Sequence, residues 1–272
     1  MKRDSDDINL DSINLDNIDL EAHKAWFTNH AAAKIGQATL DPAPLELKLA
    51  HTLNVLANAA SICAMENLPG PLAKSGLLAA LYHDLSRFDQ YLQYGTFKDR
   101  DSRNHGAWSV KLLKHNHRLA ALPPDMRRAV LIAVGMHNRM AVPAAVTGQE
   151  RIACQIVRDA DKLDILRVMA EHLAKKPYNP TVILGLPDDP DRASSAVIAA
   201  ALAGRSASYA DLRSLNDFRL LLGTWLFDMN FDSSRKLFRA RGHAREIVAA
   251  LPETGTYKKA RAAILVKLAD TA

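Results

Sequence analysis

The sequence has almost no cysteine. Of its 272 residues only Cys63 and Cys154 are thiols, each among apolar neighbours in a helical pattern. That excludes a disulfide framework and, without ligand-like spacing, a zinc ribbon. Both are expected to be free thiols in a reducing compartment. Long apolar runs are also missing, since none approaches the roughly 18 residues that span a bilayer. The N-terminus is acidic and carries no basic-then-apolar leader, so a cytoplasmic protein without a membrane segment is expected. No stretch alternates convincingly as a strand does, which leaves helices to form the core.

What is present suits an all-α body. Hydrophobic residues make up 48% of the chain, enough for a substantial core. Apolar periodicity predicts helices at about 21–37, 45–67, 71–93, 105–118, 124–139, 149–176, 193–204, 209–230, 233–251 and 256–269. Pro42, Pro44, Pro69, Pro71, Pro123, Pro124, Pro143, Pro177, Pro180 and Pro252 punctuate them. Residues 1–20 are an acidic low-complexity alternation of Asp/Asn with Ile/Leu, expected to be a flexible tail that could instead dock on a partner. Residues 21–272 are expected to form one domain, with the chemistry at about 45–175 and further helices at about 193–270. Residues 177–192, with several prolines and aspartates, read as a polar loop. The formal net charge is +5; residues 1–21 hold seven acids and two bases, leaving 33 bases against 23 acids in the remainder. A body at +10 suits a phosphate-bearing partner, although a merely soluble basic surface fits the charge equally well.

The stretch Leu77–Phe88 organises the rest. Leu77, Leu81, Asp84 and Phe88 recur at helical steps, so a carboxylate falls in the middle of a core-facing stripe. Burying it bare is costly, and the cation that suits a carboxylate beside His83 is a metal. The same oddity recurs elsewhere. His51 lies between Leu47 and Val55, and His137 follows Val130, Ala133 and Val134. Asp161 sits among Cys154, Val157, Ile165 and Val168, while His105 opens the helix containing Trp108 and Leu112. Any one of these is more simply a hydrogen-bonded core residue. Together they bury too many polar groups, unless one cluster around metal ions accommodates them all.

The order His51, His83-Asp84, His105, His137, Asp161 resembles the HD superfamily of metal-dependent phosphohydrolases in its six-ligand, two-metal form. The blocks Tyr82–Tyr91, Tyr94–Phe97, Asn104-His105-Gly106, His137-Asn138 and Ile156–Asp164 are similar to a largely uncharacterised subgroup of HD hydrolases over about residues 45–175. Ser86 departs from it, standing where such proteins usually have glycine; serine is small enough that little change is expected. The resemblance implies an all-α HD-type helical bundle with additional C-terminal helices. It implies that His51, His83, Asp84 and Asp161 hold one metal and that His105 and His137 hold a second, bridged by Asp84. Imidazole and carboxylate ligands suit Mn, Fe, Co, Ni or Zn. Two such ions can bind a phosphate oxygen and activate a water, with no serine or cysteine nucleophile.

Around this set, Arg87, one turn from His83, is a candidate clamp for a phosphoryl oxygen. Lys162, beside Asp161, is a candidate phosphate anchor or a partner of Asp159. Arg139 is a candidate for a substrate tail, and Asp164 could orient a ligand histidine or pair with Arg167. His23, His30, His115, His117, His172 and His243 read as ordinary histidines. The expected activity is hydrolysis of a phosphate mono- or diester of a small substrate, a nucleotide being the favoured class. The alternatives are a catalytically silent nucleotide-sensing module and a nucleic-acid binder built on Arg235, Lys236, Arg239, Arg241, Arg245, Lys258, Lys259 and Arg261. A solvated basic face accounts better for those last residues, which have no interleaved aromatics.

Overall fold

Helix starts follow capping chemistry. In the computed structural model, which describes residues 19–178 and 183–270, α1 (Leu20–Gly36) begins where the Asp19 carboxylate accepts from the Ala22 N–H at 2.8 Å. Asn104 caps α5 (His105–His115) in the same way through the Ala107 N–H at 2.9 Å. Proline occupies the first turn of α2 (Ala43–Met65), α3 (Gly70–Tyr82) and α6 (Pro124–Met136), where its missing N–H costs nothing. α4 (Arg87–Tyr94) stops at Gly95, whose φ of +64° closes the helix. The tail 1–18 and residues 179–182 of the polar loop lie outside the described residues.

The fold is all-α, with no strand among the described residues. Packing divides the chain into two compact units, Met1–Asp161 and Lys162–Ala272. The boundary falls inside α7 (Gly148–Leu173).

In the first unit α3 is the central element: every residue from Ala73 to Tyr82 is buried, against α2 on one side and α6 on another. Full burial of Leu77, Leu78 and Leu81 contributes about 1.5–3 kcal/mol per side chain. α5 packs on α6. A Cβ at Gly106 would come within 3.1 Å of the Val134 carbonyl and 3.3 Å of that of Gly135, so glycine lets the start of α5 lie against the α6 backbone. Both cysteines of this unit are free and buried.

The second unit is built on α9 (Leu215–Thr224), buried along its whole length against α8 (Ser195–Leu202), α11 (His243–Ala249) and α12 (Lys258–Ala269). Asp217 near its start accepts from the Ser194 and Arg213 N–H groups, each at 3.0 Å, and from the Tyr257 hydroxyl at 2.9 Å. Several basic residues of this unit have internal partners. Arg261 meets Glu253 at 2.8 Å, Arg239 donates to the Lys267 carbonyl and Arg245 to that of Leu268. α10 (Asp232–Ala240) and α11 replace one expected helix, split at Gly242 with φ of +75°. The helix expected over 209–230 is confined to α9, flanked by 3-10 turns.

Candidate metal centre

The helix expected over 71–93 is broken at the residues that matter most. α3 ends at Tyr82 and α4 begins at Arg87, leaving His83–Ser86 as a turn. The Leu85 N–H donates to the Tyr82 carbonyl at 3.2 Å and the Arg87 N–H to the Asp84 carbonyl at 2.9 Å, the three-residue step of a tightened turn. Ser86 holds that turn against α5. Its N–H donates to Ser109 Oγ at 3.0 Å and its hydroxyl to the His105 carbonyl at 2.8 Å. Ser86 was expected to change little from glycine; here its fully buried side chain is a strut. His83 and Asp84 thus stand at a helix end, facing the other helices.

Three imidazoles have their Nδ1 atoms engaged by local acceptors. His83 Nδ1 donates to the Ala80 carbonyl at 2.7 Å and His137 Nδ1 to that of Val134 at 2.8 Å. His105 Nδ1 lies 2.8 Å from both Asp99 oxygens. With the proton assigned to Nδ1 by these partners, each Nε2 presents a lone pair. The Nε2 atoms then converge on Asp84 from two sides. Asp84 Oδ2 is 3.5 Å from His83 Nε2 and 3.9 Å from His51 Nε2. Asp84 Oδ1 is 3.4 Å from His105 Nε2 and 3.8 Å from His137 Nε2. Asp161 Oδ1 completes the first side, 3.1 Å from His51 Nε2 and 3.8 Å from His83 Nε2. His51, His83 and Asp161 form one potential ligand group, and His83, Asp84 and His137 another.

This donor set fits metal ions. His105 Nε2 and His137 Nε2 face each other at 3.0 Å, and two lone pairs that close repel unless a cation or proton serves them. His83 Nε2 is buried with no hydrogen-bond partner among the described residues. Such groups are costly when left unserved.

Two basic side chains supply the positive charge. Lys48 Nζ is 2.7 Å from Asp84 Oδ2, and Arg87 Nε is 3.3 Å from Asp84 Oδ1. Burial would raise the Asp84 carboxyl, but Lys48, His83 and Arg87 outweigh it and hold it well below the usual carboxylate range. Asp161 is likewise held low, burial opposing and the His51 hydrogen bond and the neighbouring His83 prevailing. Burial, then the neighbouring His105 and His83, push the His137 imidazole down to about 3, and burial lowers His83 too. Asp99 is brought to about 2, where the His105 hydrogen bond overcomes burial.

All six residues expected as ligands therefore meet in one place, in the first unit. Arg87 also reaches it, but it is engaged: Nη1 donates to Gln90 Oε1 at 2.7 Å, to Asp99 Oδ1 at 3.2 Å and to the Phe97 carbonyl, and Nη2 lies 3.3 Å from His105 Nε2. Lys162 Nζ, in the second unit, meets the Asp228 carboxylate and, at 3.3 Å, the Asp228 carbonyl. Asp164 pairs with Arg167 at 2.7 Å.

Sequence reading missed four supports. Lys48 shares a helix face with His51, three residues on, which was a usable signal. Asp99 sits among other charged loop residues and gives none. Asn138 Nδ2 donates to Asp99 Oδ2 at 3.2 Å. Buried Arg158 donates to the carbonyls of His137 and Met140, each at 3.0 Å, and of Arg139, fixing the end of α6.

A family model for the HD domain matches residues 49–166. That span is therefore an HD domain, and such domains are all-α, bind divalent metals and are typically metal-dependent phosphohydrolases. The matched span contains all six converging residues. Neither the curated proteins nor the solved structures give a significant match to the chain. No helix among the described residues is long and apolar enough to cross a membrane.

Proposed function

We propose that the chain is a metal-dependent phosphohydrolase that cleaves a phosphate mono- or diester of a nucleotide with water. The observation that carries this reading is the division of Asp84 between two nests of imidazole nitrogens, one oxygen to each. His51, His83, Asp84 and Asp161 would hold one divalent ion, and His105, His137 and Asp84 a second; nitrogen and oxygen donors suit Mn, Fe, Co, Ni or Zn. Such ions, when bound, supply Lewis acidity and a water of lowered pKa.

The remaining work belongs to the chain. Asp99 fixes the His105 tautomer so that Nε2 faces inward. Lys48 and Arg87 are partly exposed, their side chains 20% and 14% accessible, and so are within reach of an entering phosphoryl group as well as of Asp84. Their charge favours the anionic ester and the charge that develops as the P–O bond to the leaving alcohol breaks. Beside them the Phe97 ring lies 5.5 Å from Lys48 Nζ and 5.8 Å from Arg87 Cζ, with Tyr91 tilted against it at 5.2 Å. An aromatic face next to phosphate-binding cations suits a nucleobase, which supports the nucleotide class. Lys162 is the less direct candidate, since phosphate would have to draw it from Asp228.

A second reading has one observation in its favour. Lys48 and Arg87 already neutralise Asp84, as they would in a silent module that senses nucleotides without metal. Reconstitution with each metal separately, followed by elemental analysis and a broad phosphate-ester panel, decides between them. The expected result is close to two ions per chain and turnover of a nucleotide ester. Protein that binds nucleotide but neither takes up metal nor turns over any ester overturns the proposed activity.

A further inference from the structure

The outer faces of α5 and α6 leave a groove of about 790 Å³. These are the faces opposite the metal centre, because His105 and Ser109 of α5 and Ala133 and Val134 of α6 point inward and are buried. Val110, Leu131, Ile132 and Met136 give the groove an apolar floor, and Lys111, Lys114, Arg127, Arg128 and Arg139 line it with cations. No acid lines it. Glu150 engages Arg128 at 2.7 Å, which leaves the other four cations facing the groove without a compensating lining charge. A smaller cavity of about 140 Å³ shares Lys114, Arg127 and Leu131 with the groove and extends it to His117 and Leu119.

An amphipathic, acidic segment would complement this lining, and the chain contains one. Residues 4–18 hold five aspartates and no base, with Ile8, Leu10, Ile13, Leu15 and Ile18 between them. Three successive five-residue units, 6–10, 11–15 and 16–20, repeat an aspartate followed by two apolar residues. The helix that follows this segment, α1, contacts Arg118, whose chain neighbours His117 and Leu119 line the groove's extension. The Trp26 ring lies 4.7 Å from the Arg118 guanidinium, and Trp26 is about 9 Å along the helix from its first residue. Fifteen residues reach up to about 50 Å when extended, against helices on the order of 20 Å long. Tethering raises the segment's effective concentration to the millimolar range, which favours it over a free partner of the same chemistry.

We propose that residues 4–18 of this chain dock in the groove between α5 and α6, with aspartates on the cationic rim and Ile/Leu side chains on the apolar floor. This surface is separate from the metal centre and does not depend on the activity proposed above. Docking would join two helices that carry His105 and His137 on their inner sides.

Carbodiimide coupling of the full-length protein, read by mass spectrometry, tests it, because the reagent forms an amide between a carboxylate and a lysine held in contact. The expected products join Asp4, Asp6, Asp7, Asp11 or Asp16 to Lys111 or Lys114 within one chain, at least fivefold above any other lysine. Their yield should fall at least fivefold in 1 M salt, where the Debye length is about 3 Å. It should fall as far in an Arg127→Glu/Arg139→Glu variant, which keeps both reporter lysines. A second variant with Ile8, Leu10, Ile13 and Leu15 all changed to Ser keeps every residue from Asp19 onward and should lose the same products. Coupling spread evenly over the exposed lysines, or concentrated on Lys236 or Lys267, overturns the proposal. Products found only between isotopically distinct chains identify a second copy as the occupant and overturn it equally. So does an unchanged yield in the serine variant.

Discussion

Replacing Asp84 by Asn tests the centre of the argument with a change of one charge and almost no volume. The side chain is 4% accessible and meets Lys48 at 2.7 Å and Arg87 at 3.3 Å, with four imidazole nitrogens within 3.9 Å. Removing one member of a buried ion pair typically costs 3–5 kcal/mol. Here Lys48 retains some access to water, so about 2–3 kcal/mol is expected for the metal-free fold. For a chain of this size that is a fall in Tm of roughly 5–10 °C. The effect on catalysis should be larger. An amide cannot serve two ions as a carboxylate can, so metal content should fall and kcat should drop on the order of a thousandfold, about 4 kcal/mol of barrier. Arg87→Ala is the control. It should retain metal while kcat/KM falls by roughly 2–4 kcal/mol, the scale of a lost charge-assisted contact. Elemental analysis, kinetics and circular dichroism on the same samples separate the two variants. An Asp84→Asn protein that keeps two ions and full turnover refutes the metallohydrolase reading.

Asp99→Asn should leave the fold intact but weaken metal binding about 10–100-fold, because the amide no longer dictates the proton position on His105; competition with a chelator measures it, and unchanged affinity would return Asp99 to an ordinary loop residue. The metal-free protein should be acid-sensitive. The His137 pKa, about 3 in the fold, lies below an unfolded value of about 6.5, so the unfolded chain takes up the proton first as pH falls. Stability from this group is therefore complete above about pH 6.5 and is lost toward pH 3, by up to about 1.4 kcal/mol per pH unit. His83, lowered in the same direction, adds to it. Thermal melts of chelator-treated protein between pH 7.5 and 5 should show this slope, and a flat profile would mean that the two imidazoles are not buried neutral.

The helical character of the chain was legible because its apolar periodicity is carried by tertiary burial, as along α3. The six converging residues were legible for the inverse reason, each being a polar group on a face that otherwise goes to the core. The break at His83–Ser86 was not. Leu77, Leu81 and Phe88 keep helical spacing across it, and nothing local shows that Ser86 will bond to His105 and Ser109 from another helix. Ser86 looked neutral because size was considered and hydrogen bonding was not. Asp99 was hidden among Arg100, Asp101 and Arg103 in a loop whose path is set by Arg87, Gln90 and Asn138. Arg158 was overlooked because a long basic side chain on an amphipathic helix reads as solvated, whereas here it caps α6.

The charge count of the centre explains why Lys48 and Arg87 belong there. The two carboxylates give the ligand set two negative charges and Asp99, beside His105, adds a third; without ions Lys48 and Arg87 offset two of the three. That balance permits a site with Asp84 fully ionised to remain folded while empty. Two divalent ions would shift the count by four, leaving Lys48 and Arg87 as surplus positive charge at the partly exposed edge. A loaded centre of this kind attracts an anion before it recognises anything else about the ligand. Discrimination among phosphate esters then has to come from groups outside the ligand set. Phe97 is the best placed of these: its ring lies against both cations, and its carbonyl accepts from Arg87. A ligand that stacks there would be read by the same loop that, through Asp99, orients His105. Under the proposed activity, substrate shape and metal binding would thus be coupled through residues 97–99.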